Sequence, residues 1–140
     1  MELEKEIKQR KKFQNEYQKA AVNIFYTHSW LHGKNAKFFK NYGISPQQFN
    51  ILRILRGQHP HPATVNLLIE RMLDKMSNAS RLVDKLKEKG LADRKTCKED
   101  RRACDVIITK KGLELLEVID KKSELMNGAL KSITSEEAKE

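Results

Sequence analysis

Residues 76 to 109 read MSNASRLVDKLKEKGLADRKTCKEDRRACDVIIT. Met76, Ala79, Leu82, Val83 and Leu86 recur at three- and four-residue intervals, so they make one apolar stripe of a helix and leave Ser77, Asn78, Ser80, Arg81, Asp84 and Lys85 on the outside. Gly90 follows Lys89 where a left-handed cap ends a helix, and Lys85, Lys87 and Lys89 suit the negative end of its dipole. Next come Leu91 to Thr96, a charged tip of Lys98, Glu99, Asp100, Arg101 and Arg102, and Ala103 to Thr109. In the last run Cys104, Val106 and Ile108 alternate with Asp105 and Ile107, which predicts a two-stranded hairpin. A helix with an amide and hydroxyls near its start fits the major groove of DNA. Arginines on a neighbouring hairpin tip suit phosphates or the minor groove.

These are the parts of a winged helix, and here the chain resembles the MarR family of dimeric winged helix-turn-helix transcription factors. The most specific likeness is Asp100-Arg101-Arg102-x-x-x-Val106-x-Ile108-Thr109-x-x-Gly112, which is similar to the family's wing signature with Ile108 where leucine is usual. Ser80 to Leu91, SRLVDKLKEKGL, resembles the family's recognition helix and its exit. The similarity runs from about residue 20 to residue 130.

A chain of 140 residues fits one domain, residues 1–140, and is too short for two ordinary ones. With 28 Lys+Arg against 19 Asp+Glu, the net charge of +9 points to polyanionic partners. Between Glu16 and Glu70 there is no acidic residue, while Lys19, Lys34, Lys37, Lys40, Arg53 and Arg56 all lie there. No apolar run reaches membrane-spanning length, and the charged start MELEKEIKQRKK lacks the apolar core of a signal peptide, so no membrane association and a cytoplasmic location are expected. Two cysteines, Cys97 and Cys104, are too few for a disulfide scaffold and fit a reducing compartment.

Along the chain, Ile7, Phe13, Tyr17, Ala20, Ala21, Ile24, His28 and Leu31 trace a helical stripe over about residues 4–40, with Gly33 as a candidate kink. A stripe of that length exceeds what one small domain covers, so part of it is expected to meet a second copy of the chain. Ser45-Pro46-Gln47-Gln48 is a helix start with a capping box, and the helix it opens should end at Gly57. Thr64 is expected to cap a short helix from Val65 to Met72, and Asp74 the helix that follows. Thr109 should cap a last helix over 110–133, where Leu113, Leu116, Ile119, Met126, Leu130 and Ile133 again exceed the needs of one core. Thr134-Ser-Glu-Glu137 is a capping box for one more helix, yet few residues follow it. Family members finish with a helix that clasps the dimer, so that helix is expected to be missing or shortened here.

The expected fold is therefore mainly α with a small β-hairpin wing. Dimerisation helices occupy about 4–40 and 110–133, with a winged helix-turn-helix over about 45–109. The expected function is a homodimeric, sequence-specific regulator, a repressor on a pseudo-palindromic operator in double-stranded DNA. The DNA-binding candidates are Ser77, Asn78, Ser80, Arg81, Lys85, Arg94, Lys95, Arg101 and Arg102. Of these, Asn78, Ser80 and Arg81 are assigned to base edges, Ser77, Lys85 and Arg94 to phosphates, and Arg101 and Arg102 to the minor groove. Asp100 orients Arg102 through a charge-assisted pair.

The aromatics between Phe13 and Phe49 read first as core or interface. In relatives that sense small phenolic compounds such residues line a pocket, which implies a small aromatic effector. His28 and His32 stand one helical turn apart, a spacing that suits a metal, but no cysteine or carboxylate joins them locally and no metal or cofactor is expected. No glycine-rich phosphate loop or activated nucleophile is present, so catalysis is not expected. Cys97 and Cys104 bracket the tip and in simple register would lie within disulfide reach; two reduced thiols are the ordinary reading. The alternative function is a winged-helix protein-interaction module, which calls for apolar residues on the outer face of the recognition helix, where Asn78, Arg81 and Lys85 stand instead.

Overall fold

The computed structural model describes residues 2–95, 104–122, 124 and 127–140. The expected wing tip, with Asp100, Arg101, Arg102 and Cys97, lies outside the described residues, as does Met126. In chain order the elements are α1 (Leu3–Glu6), α2 (Glu16–Lys40), α3 (Pro46–Gln58), β1 (Ala63–Thr64), α4 (Val65–Arg71), α5 (Ala79–Glu88), β2 (Ala92–Arg94), β3 (Asp105–Ile108), α6 (Lys110–Lys121), a 3₁₀ turn (Gly128–Leu130) and α7 (Ser135–Lys139). The fold is mainly helical with one small antiparallel sheet.

Local capping chemistry sets most helix starts. Ser45 accepts from the Gln48 amide at 3.1 Å while the Gln48 side chain takes the Ser45 amide at 2.9 Å, the reciprocal box expected there. Thr64 caps α4 through the Leu67 amide and Thr109 caps α6 through the Gly112 amide, each at 3.1 Å. Thr134 and Glu137 form the predicted box and open α7, which is five residues long.

The first long helix differs from expectation. Instead of one helix from residue 4, a single turn ends at Glu6, Lys8 adopts φ 56°, and α2 begins only after Asn15, whose side chain accepts from the Gln18 amide at 2.8 Å. The basic run Arg10-Lys11-Lys12 would stack like charges on a continuing helix, and Asn15 offers a satisfied cap beyond it. Gly33 does not break α2 and Gly57 does not end α3, which runs on to Gln58. A cost of about 1 kcal/mol for glycine is small beside the hydrogen bonds that continue on either side. The last helix is also shorter than the expected 110–133: α6 stops at Lys121.

The sheet has three strands in the order β1-β3-β2. The hairpin is present, with Ala92, Asp93 and Arg94 opposite Ile108, Ile107 and Val106. The third strand was not foreseen: Ala63 and Thr64, directly before α4, pair with Val106 and Asp105. Val106 and Ile108 point inward and Asp105 and Ile107 outward, as the alternation requires. The core gathers Ile51, Leu52 and Leu55 of α3, Val65 and Leu68 of α4, and Val83 and Leu86 of α5 against Val106 and against Leu116 and Ile119 of α6. Leu116 and Ile119 are therefore core residues and do not belong to a free apolar face. By contrast, only Phe39 of the 25 residues of α2 is buried, and Tyr17, Ile24, Phe25 and Trp30 stand exposed on it.

Candidate nucleic-acid interface

α5 is amphipathic, with Ala79, Val83 and Leu86 buried against the core. Arg81 and Lys85 are exposed on its other face. Lys85 lies 3.6 Å from Glu88, but both side chains are more than half exposed, so the pair is weak and exchanges readily for another anion. Asn78, expected on a base edge, is the N-cap: its side-chain oxygen accepts from the Arg81 amide at 3.1 Å. Asn78 is exposed, and the cap uses only its oxygen, so its amide nitrogen keeps both hydrogens to donate.

Asp74, expected to cap α5, instead shapes the turn before it. One carboxylate oxygen accepts from the Met76 amide at 3.0 Å and the other from the Gln47 side-chain amide at 3.3 Å. The carboxyl is held below its ordinary value by the Gln47 amide first, then by the Ser77 hydroxyl and the Met76 N–H. The Asn50 side chain of α3 accepts the Leu73 amide at 2.9 Å, so the turn is tied to α3 at two points. The apolar stripe begins at Ala79, because Met76 precedes the helix and is 94% exposed.

Arg94, assigned to a phosphate, lies elsewhere. Its side chain is 5% exposed, and its guanidinium donates to Asp84 at 2.7 Å and to the Ser80 hydroxyl at 3.3 Å. The arginine of β2 thus reaches back to α5 and holds two of its residues, which takes Arg94 from the DNA-facing set, while the Ser80 hydroxyl, as acceptor, keeps its hydrogen to donate. The sequence signal for this is only the opposite charge of Asp84 on the helix and Arg94 on the strand that follows it. Lys95 is exposed at the end of β2, where its backbone N–H donates to Asp105 at 3.0 Å. Ser77 is half-buried at the entry to α5. The structure therefore brings Ser77, Asn78, Arg81 and Lys85 together along α5 and its entry, with Lys95 on the adjoining strand. Arg101, Arg102 and Asp100 lie outside the described residues.

Cys104 is buried directly before β3. His28 and His32 stack at 5.8 Å on α2. Among the described residues no three His, Cys, Asp or Glu side chains gather as a metal-binding group. A groove of 630 Å³ lies where the end of α2, the exit of α5 and α6 meet, lined by Tyr42, Lys89, Leu91, Lys111, Leu115 and Val118 among others. Among the described residues Tyr42 is its one aromatic lining residue, whereas Phe39 and Phe49 stack at 4.3 Å inside the core. No helix among the described residues is long and apolar enough to cross a membrane.

Comparison with known proteins agrees with this geometry. Residues 42–103, a span that includes α3, β1, α4, α5 and β2, match the MarR family model. No curated protein matches the chain. A solved MarR transcription factor from Planctomyces limnophilus is 27% identical, with 84% of this chain and 85% of that one covered and a TM-score of 0.69. A MarR-like transcription regulator from Bacillus cereus ATCC 10987 is 25% identical, with 87% of each chain covered and a TM-score of 0.74. MepR of S. aureus in its DNA-binding conformation shares the fold at 22% identity, with 86% and 87% covered and a TM-score of 0.63.

Proposed function

We propose, from the premise that this chain is a winged-helix protein of the MarR type, that it is a homodimeric, sequence-specific DNA-binding regulator acting as a repressor. The observation that carries this reading is α5 itself: its apolar side is locked into the core while Arg81 and Lys85 face outward behind the amide of Asn78. Arg81 and Asn78 are assigned to base edges, Lys85, Ser77 and Lys95 to the phosphates beside them, and Arg101 and Arg102 to the minor groove. Two such helices about one DNA turn apart, roughly 34 Å, read a pseudo-palindrome. The reading includes a cytoplasmic location and no catalytic role. A small effector that releases the operator has a place in the groove beside Tyr42, which touches both the end of the long helix and the exit of α5.

A gel-shift titration with duplexes from the upstream region of the chain's own gene tests it. Binding is expected to resist competitor DNA and to weaken steeply with salt. Arg81→Ala is expected to cost about 1 to 3 kcal/mol and to relax discrimination at one position of each half-site, whereas Lys85→Ala weakens every duplex alike and lowers the salt slope by about one. Equal losses on specific and random DNA for Arg81→Ala would remove it from the base-reading set.

The dimer is supported by α2, where Phe25 is 75% and Ile24 68% exposed, and by Val118, Leu130 and Ile133 towards the other end of the chain. Apolar side chains of this size left in water along one long helix fit a second copy. Phe25→Asp is expected to give a folded monomer by light scattering with little operator affinity. Leu116→Asp would instead unfold the core, since Leu116 is fully buried. A Phe25→Asp protein that remains dimeric would place the interface elsewhere.

A further inference from the structure

The turn between α4 and α5 carries two apolar side chains that touch almost nothing. Leu73 is 86% exposed and Met76 is 94% exposed. The turn itself is held firmly. Asn50 takes the Leu73 amide at 2.9 Å, Asp74 takes the Met76 amide at 3.0 Å, and the Lys75 ammonium donates to the Ile69 and Glu70 carbonyls near the end of α4. Met76 is thus displayed in water by a fixed backbone.

Its position gives the display a use. Met76 stands two residues before the cap Asn78, at the amino end of α5, and the amino-terminal residues of a recognition helix are those that reach base edges. The apolar group on a base edge in the major groove is the C5-methyl of thymine. A thioether side chain is unbranched and polarizable, so it follows such a methyl without needing a hydrogen bond. The exposed charges around it favour nucleic acid: Lys75 is next to it and Arg81 and Lys85 follow on α5, three cations against the one carboxylate of Asp74 in the turn. A protein partner needs a contiguous apolar patch of several hundred Å², which two side chains on one turn do not form.

We propose that Met76 reads the methyl group of a thymine in each operator half-site. This rests on the DNA-binding reading above and adds a specificity-determining residue outside the helix. Leu73 is nearly as exposed but sits one residue after the end of α4's cap, away from the amino end of α5, and provides the control for exposure alone.

The test uses the full chain and a duplex it selects from a random pool, with each thymine of a half-site replaced in turn by uracil, which removes only the methyl. One such replacement is expected to weaken the parent protein about fourfold per half-site, ~0.8 kcal/mol for one buried methyl. The same replacement is expected to leave Met76→Ala binding unchanged, while Met76→Leu keeps the sensitivity and Leu73→Ala responds like the parent. Because Met76 makes no core contact, Met76→Ala should melt with the parent. If no thymine is sensitive, if Met76→Ala loses as much as the parent on every uracil duplex, or if the sensitivity follows Leu73 instead, the assignment is overturned and specific binding stands. If no duplex is selected at all, the DNA-binding reading falls and this assignment with it.

Discussion

Gly112→Ala is expected to destabilise the protein by about 3 kcal/mol or more, lowering Tm by roughly 10 °C. A Cβ at Gly112 would lie 2.3 Å from the Leu91 carbonyl oxygen and 2.7 Å from Cγ1 of Ile108. Neither neighbour has room to retreat. The Leu91 oxygen accepts the Thr109 amide at 3.1 Å, and the Thr109 hydroxyl binds Gly90 at 2.6 Å while accepting the Gly112 amide. The gain of about 1 kcal/mol that alanine normally brings to a helix is smaller than this clash with backbone. The glycine that closes the wing signature is thus explained by packing: α6 enters directly over the exit of α5, at a distance only hydrogen tolerates. Thermal unfolding followed by circular dichroism checks it, and a variant that melts with the parent would show that α6 starts elsewhere.

Arg94→Met is the second large expected effect, and it separates two roles for one arginine. Breaking a buried ion pair from one side costs about 3 to 5 kcal/mol. Here the Asp84 side chain is 42% exposed and regains water, so about 2 kcal/mol is expected. Operator affinity should fall with stability, because Ser80 and Asp84 lose the guanidinium that holds α5 to β2. The salt slope should not change. An arginine on a phosphate would do the opposite, leaving Tm alone and lowering the slope by about one. Melting curves and salt titrations on the same variant therefore decide the role, and an unchanged Tm would return Arg94 to the DNA-facing set.

What the sequence disclosed was local chemistry. The starts at Ser45, Thr64, Thr109 and Thr134 were legible because a hydroxyl three residues before an amide closes a ring whatever surrounds it. The buried faces of α5, apart from Met76, and of β3 followed from periodicity. Decisions that depend on competition between neighbours were not legible. Asp74 and Asn78 both qualify as caps for α5, and only the position of Gln47 on α3 shows why the aspartate serves the turn. Gly33 and Gly57 looked like stops because their cost was visible and the flanking hydrogen bonds that outweigh it were not. Arg94 looked like a DNA contact because charge can be read from a sequence and burial of that charge under a helix cannot. A strand of two residues, Ala63 and Thr64, carries no period at all, since its partner lies more than forty residues away.

That short strand has a further consequence. β3 is flanked on one side by β1, which leads straight into α4, and on the other by β2, whose Arg94 holds α5. The helix pair and the hairpin base therefore share one strip of backbone, and neither can open locally without releasing that strip. Amide hydrogen exchange should report this as a single cooperative unit, with the amides of β1, β2 and β3 and of the first turn of α4 exchanging at one common opening free energy, while those in the amino-terminal half of α2 exchange independently and sooner in the isolated chain.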